Sequence, residues 1–184
     1  MTLIYEPAED SFLFRDFVED FFEDCDKNKK VLDMGCGSCI LSETIRDLGF
    51  KDILCIDINP DSVKLAKEKG FRAIKSDLFS NLEKDKERFD FICFNAPYLP
   101  YDELEDEESS VATSGGKRGD EIILRFLEQA NNFLCDKGVI FILISSLTPI
   151  DKIEKYNFKI VSKKRIFFED LLILEFKKES FINN

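Results

Sequence analysis

The chain has 184 residues and a hydrophobic fraction of 44%, enough for one domain with a sizeable core and no need of a disulfide staple. Its 37 acidic residues against 26 basic ones give a net charge of −11, a poor start for gripping phosphates, though compatible with a basic protein partner or with simple solubility. Histidine is absent, so Ser-His-Asp triads, Cys-His pairs and histidine metal sites are excluded and no metal site is expected; catalysis falls to carboxylates, amides, Tyr, Lys, Cys or a cofactor.

The chain begins Met1-Thr2-Leu3-Ile4-Tyr5-Glu6 and then turns acidic, with no basic start or apolar run of a secretory signal. No window approaches the roughly 18 apolar residues of a membrane span, so the expected location is the cytoplasm. Lys30 to Met34 is a short apolar run that ends at Gly35. Ser38 to Leu48 carries apolar residues at helical spacing (Ile40, Leu41, Ile45, Leu48) and stops at Gly49. Ile53 to Ile58 reads as a second buried strand. Asn59-Pro60-Asp61 then opens a helix to Lys69, with Gly70 as its stop. Phe71 to Ile74 and Phe89 to Phe94 are the third and fourth strands, the latter almost wholly apolar, as parallel strands covered on both faces are.

Pro97 to Gly119 is irregular, with an acidic run from Asp102 to Glu108 and then Ser114-Gly115-Gly116-Lys117-Arg118-Gly119. A loop of about twenty residues in a compact domain is usually functional or disordered. The acidic run is either a solvated segment or a lid that orders over a basic substrate loop. Asp120 to Leu134 predicts an amphipathic helix, Gly138 to Ile144 a fifth strand and Pro149 to Tyr156 a short helix. Phe158 to Ile166 and Leu171 to Phe176 predict a closing hairpin. The order β-α-β-α-β-β-α-β-α-β-β means an open α/β sheet, whose ligands bind at the carboxyl ends of the strands. Cys25, Cys36, Cys39, Cys55, Cys93 and Cys135 lie mostly in apolar runs, as free thiols of a reducing compartment do.

The first strand ends in Asp33-Met34-Gly35-Cys36-Gly37-Ser38-Cys39, where two glycines let the backbone turn sharply beside a ligand. Ile40 stands where a dinucleotide fingerprint has its third glycine, which argues against a pyrophosphate. Asp57, at the end of strand two, is placed for a ribose diol, and Asp77, after strand three, for an adenine amino group. The same acids could instead be helix caps or turn residues. S-adenosylmethionine fits them well: it has no phosphates, and it carries a sulfonium and an ammonium group. Cys36-Gly37-Ser38-Cys39 is also a C-x-x-C at a helix start, the mark of a redox-enzyme alternative.

Strand four ends in Asn95-Ala96-Pro97-Tyr98. An amide nitrogen is a poor nucleophile, so a catalyst must fix the amide, remove its water and aim it at the methyl carbon. The Asn95 side chain and the Ala96 carbonyl offer two acceptors for its N–H groups, Pro97 restricts Ala96 to extended geometry, and Tyr98 gives a flat wall. Here the sequence resembles the HemK-like, N-P-P-Y class of methyltransferases. With Tyr5-Glu6-Pro7-Ala8-Glu9-Asp10-Ser11 it resembles the release-factor glutamine methyltransferases of eukaryotes and archaea. Asp57-Ile58-Asn59-Pro60, Gly115-Gly116-Lys117-Arg118-Gly119 and Arg165 to Leu171 extend the likeness over nearly the whole chain. Ala96 departs from the pattern, which has Pro there, but keeps the carbonyl.

The resemblance implies a class I Rossmann-like fold: a seven-stranded, mostly parallel sheet with a C-terminal antiparallel hairpin and helices on both faces. It implies a single domain over 1–184, with an N-terminal helical lid over 1–26 and an active-site loop over 97–119. The implied reaction transfers a methyl group from S-adenosylmethionine to the N5 amide nitrogen of a glutamine, in the Gly-Gly-Gln motif of a class-1 translation termination factor. Ser11 would then meet the cofactor's amino-acid end, with Asp33, Gly35 and Gly37 in the turn beneath it and Asp33 near the ammonium. Asp57 would hold the ribose, Asp77 and Leu78 the adenine, and Asn95 would bridge cofactor and substrate. Glu9 either supports the lid or starts a helix. Lys117 and Arg118 either face a substrate carboxylate or RNA or stand in an exposed loop. The family also implies a small zinc-binding activator subunit, for which the Phe71 to Lys75 strand, at a sheet edge, is the candidate. The alternatives are an adenine-N6 DNA or RNA methyltransferase acting on a flipped base and a non-enzymatic scaffold of the same fold.

Overall fold

The computed structural model describes residues 4–84, 86–99 and 115–181. The acidic run from Asp102 to Glu108, and with it much of the expected 97–119 loop, lies outside the described residues. Helix α1 spans Glu9–Phe22, followed by β1 (Lys30–Met34), α2 (Ile40–Asp47), β2 (Asp52–Asp57), α3 (Pro60–Glu68), β3 (Arg72–Lys75) and β4 (Phe89–Asn95). Helix α4 is Glu121–Ala130, and β5 (Leu134–Ser145), β6 (Lys159–Ile166) and β7 (Glu169–Lys177) complete the order.

The seven strands form one sheet in the order β3-β2-β1-β4-β5-β7-β6. The first five run parallel and β7 is antiparallel to both its neighbours. The expected mostly parallel sheet with a closing hairpin is therefore what the chain builds, and β3 is an edge strand as expected. The registers Met34↔Ile56, Met34↔Phe94, Asp57↔Lys75 and Asn95↔Leu143 bring the carboxyl ends of these strands to one level.

Each face of the sheet carries its own apolar core. One joins α1, α2 and α3 to the sheet through Phe14, Val18, Phe22, Ile45 and Val63. The other joins α4 through Ile123, Phe126, Leu127 and Ala130. Helix α1 is acidic outside but carries Phe17, Phe21 and Phe22 toward the sheet. Phe21 meets the Phe141 ring at 4.7 Å, and Phe22 meets Phe91 at 4.7 Å and Phe50 at 5.3 Å. Full burial of a Phe side chain contributes roughly 1.5–3 kcal/mol, against tenths for exposed charges. These rings fix where α1 lies, and so where its first turn, Glu9 to Phe12, meets the strand tips.

Three boundaries differ from the sequence reading. The helix expected over Pro149 to Tyr156 is a run of turns with one 3-10 turn at Glu154–Tyr156. Only Ile153 and Tyr156 of that stretch reach the core, too few for a helical stripe. The helix expected to reach Leu134 stops at Ala130, passes through a 3-10 turn at Asn131–Phe133, and Leu134 already begins β5. Helix α2 begins at Ile40 rather than Ser38, because Cys39 before it is left-handed, with φ 69°.

Candidate active site at the strand tips

A cavity of about 400 Å³ opens at the carboxyl ends of β1, β2 and β4, lined among others by Asp33, Gly37, Asp57, Leu78, Asn95 and Tyr98. It sits where the strand order reverses between β1 and β4, the place in open α/β sheets where ligands bind. All eleven residues that the sequence puts around cofactor and substrate line it: Ser11, Gly35, Asp77, Ala96 and Pro97 join the six above, with Asn95 serving in both roles.

The turn after β1 is held close to β2. The Gly35 and Cys36 N–H groups both donate to the Ile56 carbonyl, at 2.7 and 3.0 Å. Gly35 has φ +67°, a left-handed conformation that glycine adopts without strain. Asp57 braces two turns at once: its carboxylate accepts from the Gly37 N–H and from the Asn59 N–H, each at 2.8 Å. Burial raises its pKa against these bonds.

Asp33 is 1% exposed and accepts from the Ser42 hydroxyl at 2.5 Å and the Ser42 N–H at 3.2 Å, which ties β1 to α2. Burial pushes its carboxyl up to about 7 despite the Ser42 bonds. Asp77 is half-exposed and its carboxylate pairs with Arg125 of α4 at 2.7 Å. Leu78 beside it is left-handed (φ 49°) and buried, so the chain bends inward just past β3.

The polar centre of the cavity is a three-residue chain. Asn95 Nδ2 donates to Asp10 Oδ2 at 3.1 Å, and the Tyr5 hydroxyl donates to the same carboxylate at 3.2 and 3.3 Å. Burial first, then the Asp10 charge and hydrogen bond, push the Tyr5 phenol up, so it stays a donor. Asp10 also accepts from the Ser11 N–H at 2.6 Å and the Ser11 hydroxyl at 3.2 Å. A carboxylate only accepts, so it fixes which end of the Asn95 amide faces it. The other end, Oδ1, is buried with no partner among the described residues. Such an acceptor costs roughly 1–3 kcal/mol unless something donates to it.

Beyond Asn95, Tyr98 packs against both cores and its carbonyl accepts from Thr148 Oγ1 at 3.4 Å. The chain then returns, with the Gly115 N–H donating to the Leu99 carbonyl at 2.8 Å. A Cβ on Gly115 would lie 2.6 Å from the Pro97 carbonyl oxygen and 2.3 Å from that of Gly119. Arg118 is turned to Asp151 at 2.7 Å and Lys117 is exposed. Glu9 reaches outward to Lys164 of β6 at 2.9 Å.

Asp10 and Tyr5 were not put forward as site residues, although both stand in the motif Tyr5 to Ser11 that was singled out. One residue along a helix turns the side chain by about 100°, which separates exposed Glu9 from buried Asp10. The three thiols of Cys36, Cys39 and Cys55 also come together, within 4.8 Å of one another, beneath the same turn. Hydrogen bonds from Cys36 and Cys55 lower the pKa of the Cys39 thiol.

A methyltransferase-domain profile matches residues 9–98. A Methanocaldococcus jannaschii protein that carries the provisional name protein N5-glutamine methyltransferase is 40% identical over 185 residues, covering 93% of this chain and 90% of that one. Methyltransferase HEMK2 of Homo sapiens is 28% identical over 76% of this chain and 71% of its own length. The release factor glutamine methyltransferase of Clostridium botulinum is 33% identical over 61% of this chain and 45% of its own length. Among solved structures, a ribosomal protein L11 methylase from Lactobacillus delbrueckii superposes with a TM-score of 0.66 at 23% identity, over 94% of this chain and 80% of that one. The fold is the class I Rossmann-like one expected from the sequence.

Proposed function

This chain belongs to the HemK-like, N-P-P-Y class of S-adenosylmethionine-dependent methyltransferases, and from that premise we propose that it methylates the side-chain amide nitrogen, N5, of a glutamine. The observation that carries this reading is the buried Oδ1 of Asn95, which has no partner among the described residues and whose direction is set by Asp10.

The cavity suits S-adenosylmethionine chemically. Its turn is braced by the Asp33 and Asp57 carboxylates, and the cation in its lining, Arg125, is already paired with Asp77. That arrangement favours a cationic ligand over a phosphate. Ser11, Asp33, Gly35 and Gly37 would hold the amino-acid end, Asp57 the ribose, and Asp77 and Leu78 the adenine. S-adenosylmethionine bound there supplies an electrophilic methyl carbon.

The chain's own residues prepare the acceptor. Asn95 Oδ1 and the Ala96 carbonyl each take one N–H of the substrate amide, which holds the nitrogen in one orientation and takes up charge as its protons become acidic. Pro97 keeps Ala96 extended, and Tyr98 lies against the flat amide. The segment from Tyr5 to Ser11 caps the cavity and keeps water from it as a lid, and Pro97 to Leu99 border the substrate side.

The names of the relatives support a glutamine of a release factor as the substrate, and a class-1 factor with that glutamine in Gly-Gly-Gln is the target we propose. The place of β3 at the edge of the sheet among the described residues, with half-buried Ile74 on it, supports a strand-pairing partner, and the zinc-binding activator subunit is the partner we propose. The test is methyl incorporation from labelled S-adenosylmethionine into a release factor bearing Gly-Gly-Gln, with the activator present. Asn95→Ala should lose about a hundredfold or more in kcat. Asp10→Asn, which lets the Asn95 amide turn over, should lose less while keeping cofactor affinity. Equal rates for wild type and Asn95→Ala would remove the mechanism.

A further inference from the structure

Cys36, Cys39 and Cys55 are not used by the proposed reaction, yet they form the tightest cluster of metal-ligating side chains among the described residues. Their Sγ atoms all lie within 4.8 Å of one another, and the residues are 5%, 0% and 0% exposed. Two come from the turn after β1 and the third from the middle of β2. Three thiolates around one ion, each about 2.3 Å from it, stand roughly 4 Å apart, so the cluster needs only a small contraction. Ser42 Oγ lies 3.1 Å from Cys55 Sγ, an oxygen near a fourth position.

The backbone gives a second, independent observation. Cys39 holds φ 69° and ψ 21°, a left-handed conformation suited to glycine and strained for a residue with a Cβ. Strain of this kind persists where a side chain has work to do, and Cys39 makes no side-chain cap of α2.

We propose that Cys36, Cys39 and Cys55 bind one soft d10 metal ion, zinc(II) or copper(I), and so clip the cofactor turn onto β2. Thiolates select such ions over calcium or magnesium. Binding replaces the thiol protons, which leave to solvent, by metal–sulfur bonds. Cys36 lines the strand-tip cavity, which gives the ion its route in. The site stands whether or not glutamine is the methyl acceptor, so its failure leaves that reading untouched.

The test titrates zinc(II) and copper(I) separately into the reduced, cofactor-free chain against a chromophoric chelator, with native mass for stoichiometry. One ion per chain is expected for at least one of the two metals, with a rise in Tm. Cys39→Gly suits the left-handed backbone, so this variant should fold with a metal-free Tm at or above that of the wild type. It should bind about a hundredfold more weakly or worse, as should Cys55→Ser. The absence of one-to-one binding by both metals, wild-type affinity in Cys39→Gly, or loss of binding in Cys25→Ser or Cys135→Ser overturns the proposal.

Discussion

Asp33 shows how one buried atom pair sets a pH response. Ser42 holds its carboxylate from two directions, but burial dominates and lifts its pKa to about 7. In the unfolded chain the same carboxyl titrates near its ordinary value, about 3.9. Between those pH values the folded state binds more protons than the unfolded one, so stability falls as pH rises. The contribution is complete below about pH 4 and lost through about pH 7; a shift of about three units corresponds to roughly 4 kcal/mol. Asp33→Asn keeps the shape and removes the charge. Urea denaturation should find the variant gaining on the wild type by a few kcal/mol between pH 4 and pH 8. A difference that stays flat across that range would show that Asp33 is not protonated in the folded chain.

At the scale of elements, the tetrad depends on a segment that follows it only distantly in sequence. Gly115 sits against the Pro97 carbonyl, and its N–H donates to the Leu99 carbonyl, so the returning chain presses on the tetrad from behind. Gly115→Ala places a methyl group 2.6 Å from that oxygen, and backbone on both sides leaves nothing soft to yield. The substitution should leave the sheet and the β1 turn intact, because the atoms nearest the added methyl group belong to Pro97 and Gly119. It should reduce methyl transfer by up to about a hundredfold, the scale of a displacement of about 1 Å near reacting groups. Calorimetry with S-adenosylmethionine separates the cases: retained cofactor affinity with slowed transfer is expected, and unchanged transfer would deny the contact a role. The aromatic anchoring of α1 works on the same scale, since it brings Asp10 to Asn95 across 85 positions of sequence.

For the molecule as a whole, charge separates the two kinds of amino group that the tetrad could methylate. A protein with net charge −11 has few means of neutralising phosphates. Three of the exposed cations near the site are engaged as well: Arg118 pairs with Asp151, Arg125 with Asp77 and Lys164 with Glu9. Labelled single-stranded and duplex oligonucleotides should therefore show no saturable binding at about 0.15 M salt, and no methyl incorporation at adenine. Salt-dependent affinity with adenine methylation would reverse the choice of substrate. No described helix is long and apolar enough to cross a membrane.

The sequence by itself determined the seven strands, the helices that link β1, β2 and β3 and the helix that precedes β5, and eleven members of the cavity wall. Apolar runs bounded by Gly35, Gly49 and Gly70 mark strands and helices locally, and the ends of parallel strands converge once the sheet forms, so Asp33, Asp57 and Asn95 could be named without coordinates. Pro149 to Tyr156 misled because a proline followed by an amphipathic stretch has no local sign of which side chains find a core. Only the tertiary structure decided partners. Asp77 turned to Arg125, Asp33 to Ser42, Asp10 rather than Glu9 to Asn95, and Cys55 to the C-x-x-C pair. The reason is physical: periodicity reports which face of an element is apolar, whereas a polar atom's partner depends on how separate elements are rotated and spaced against one another by their packed cores.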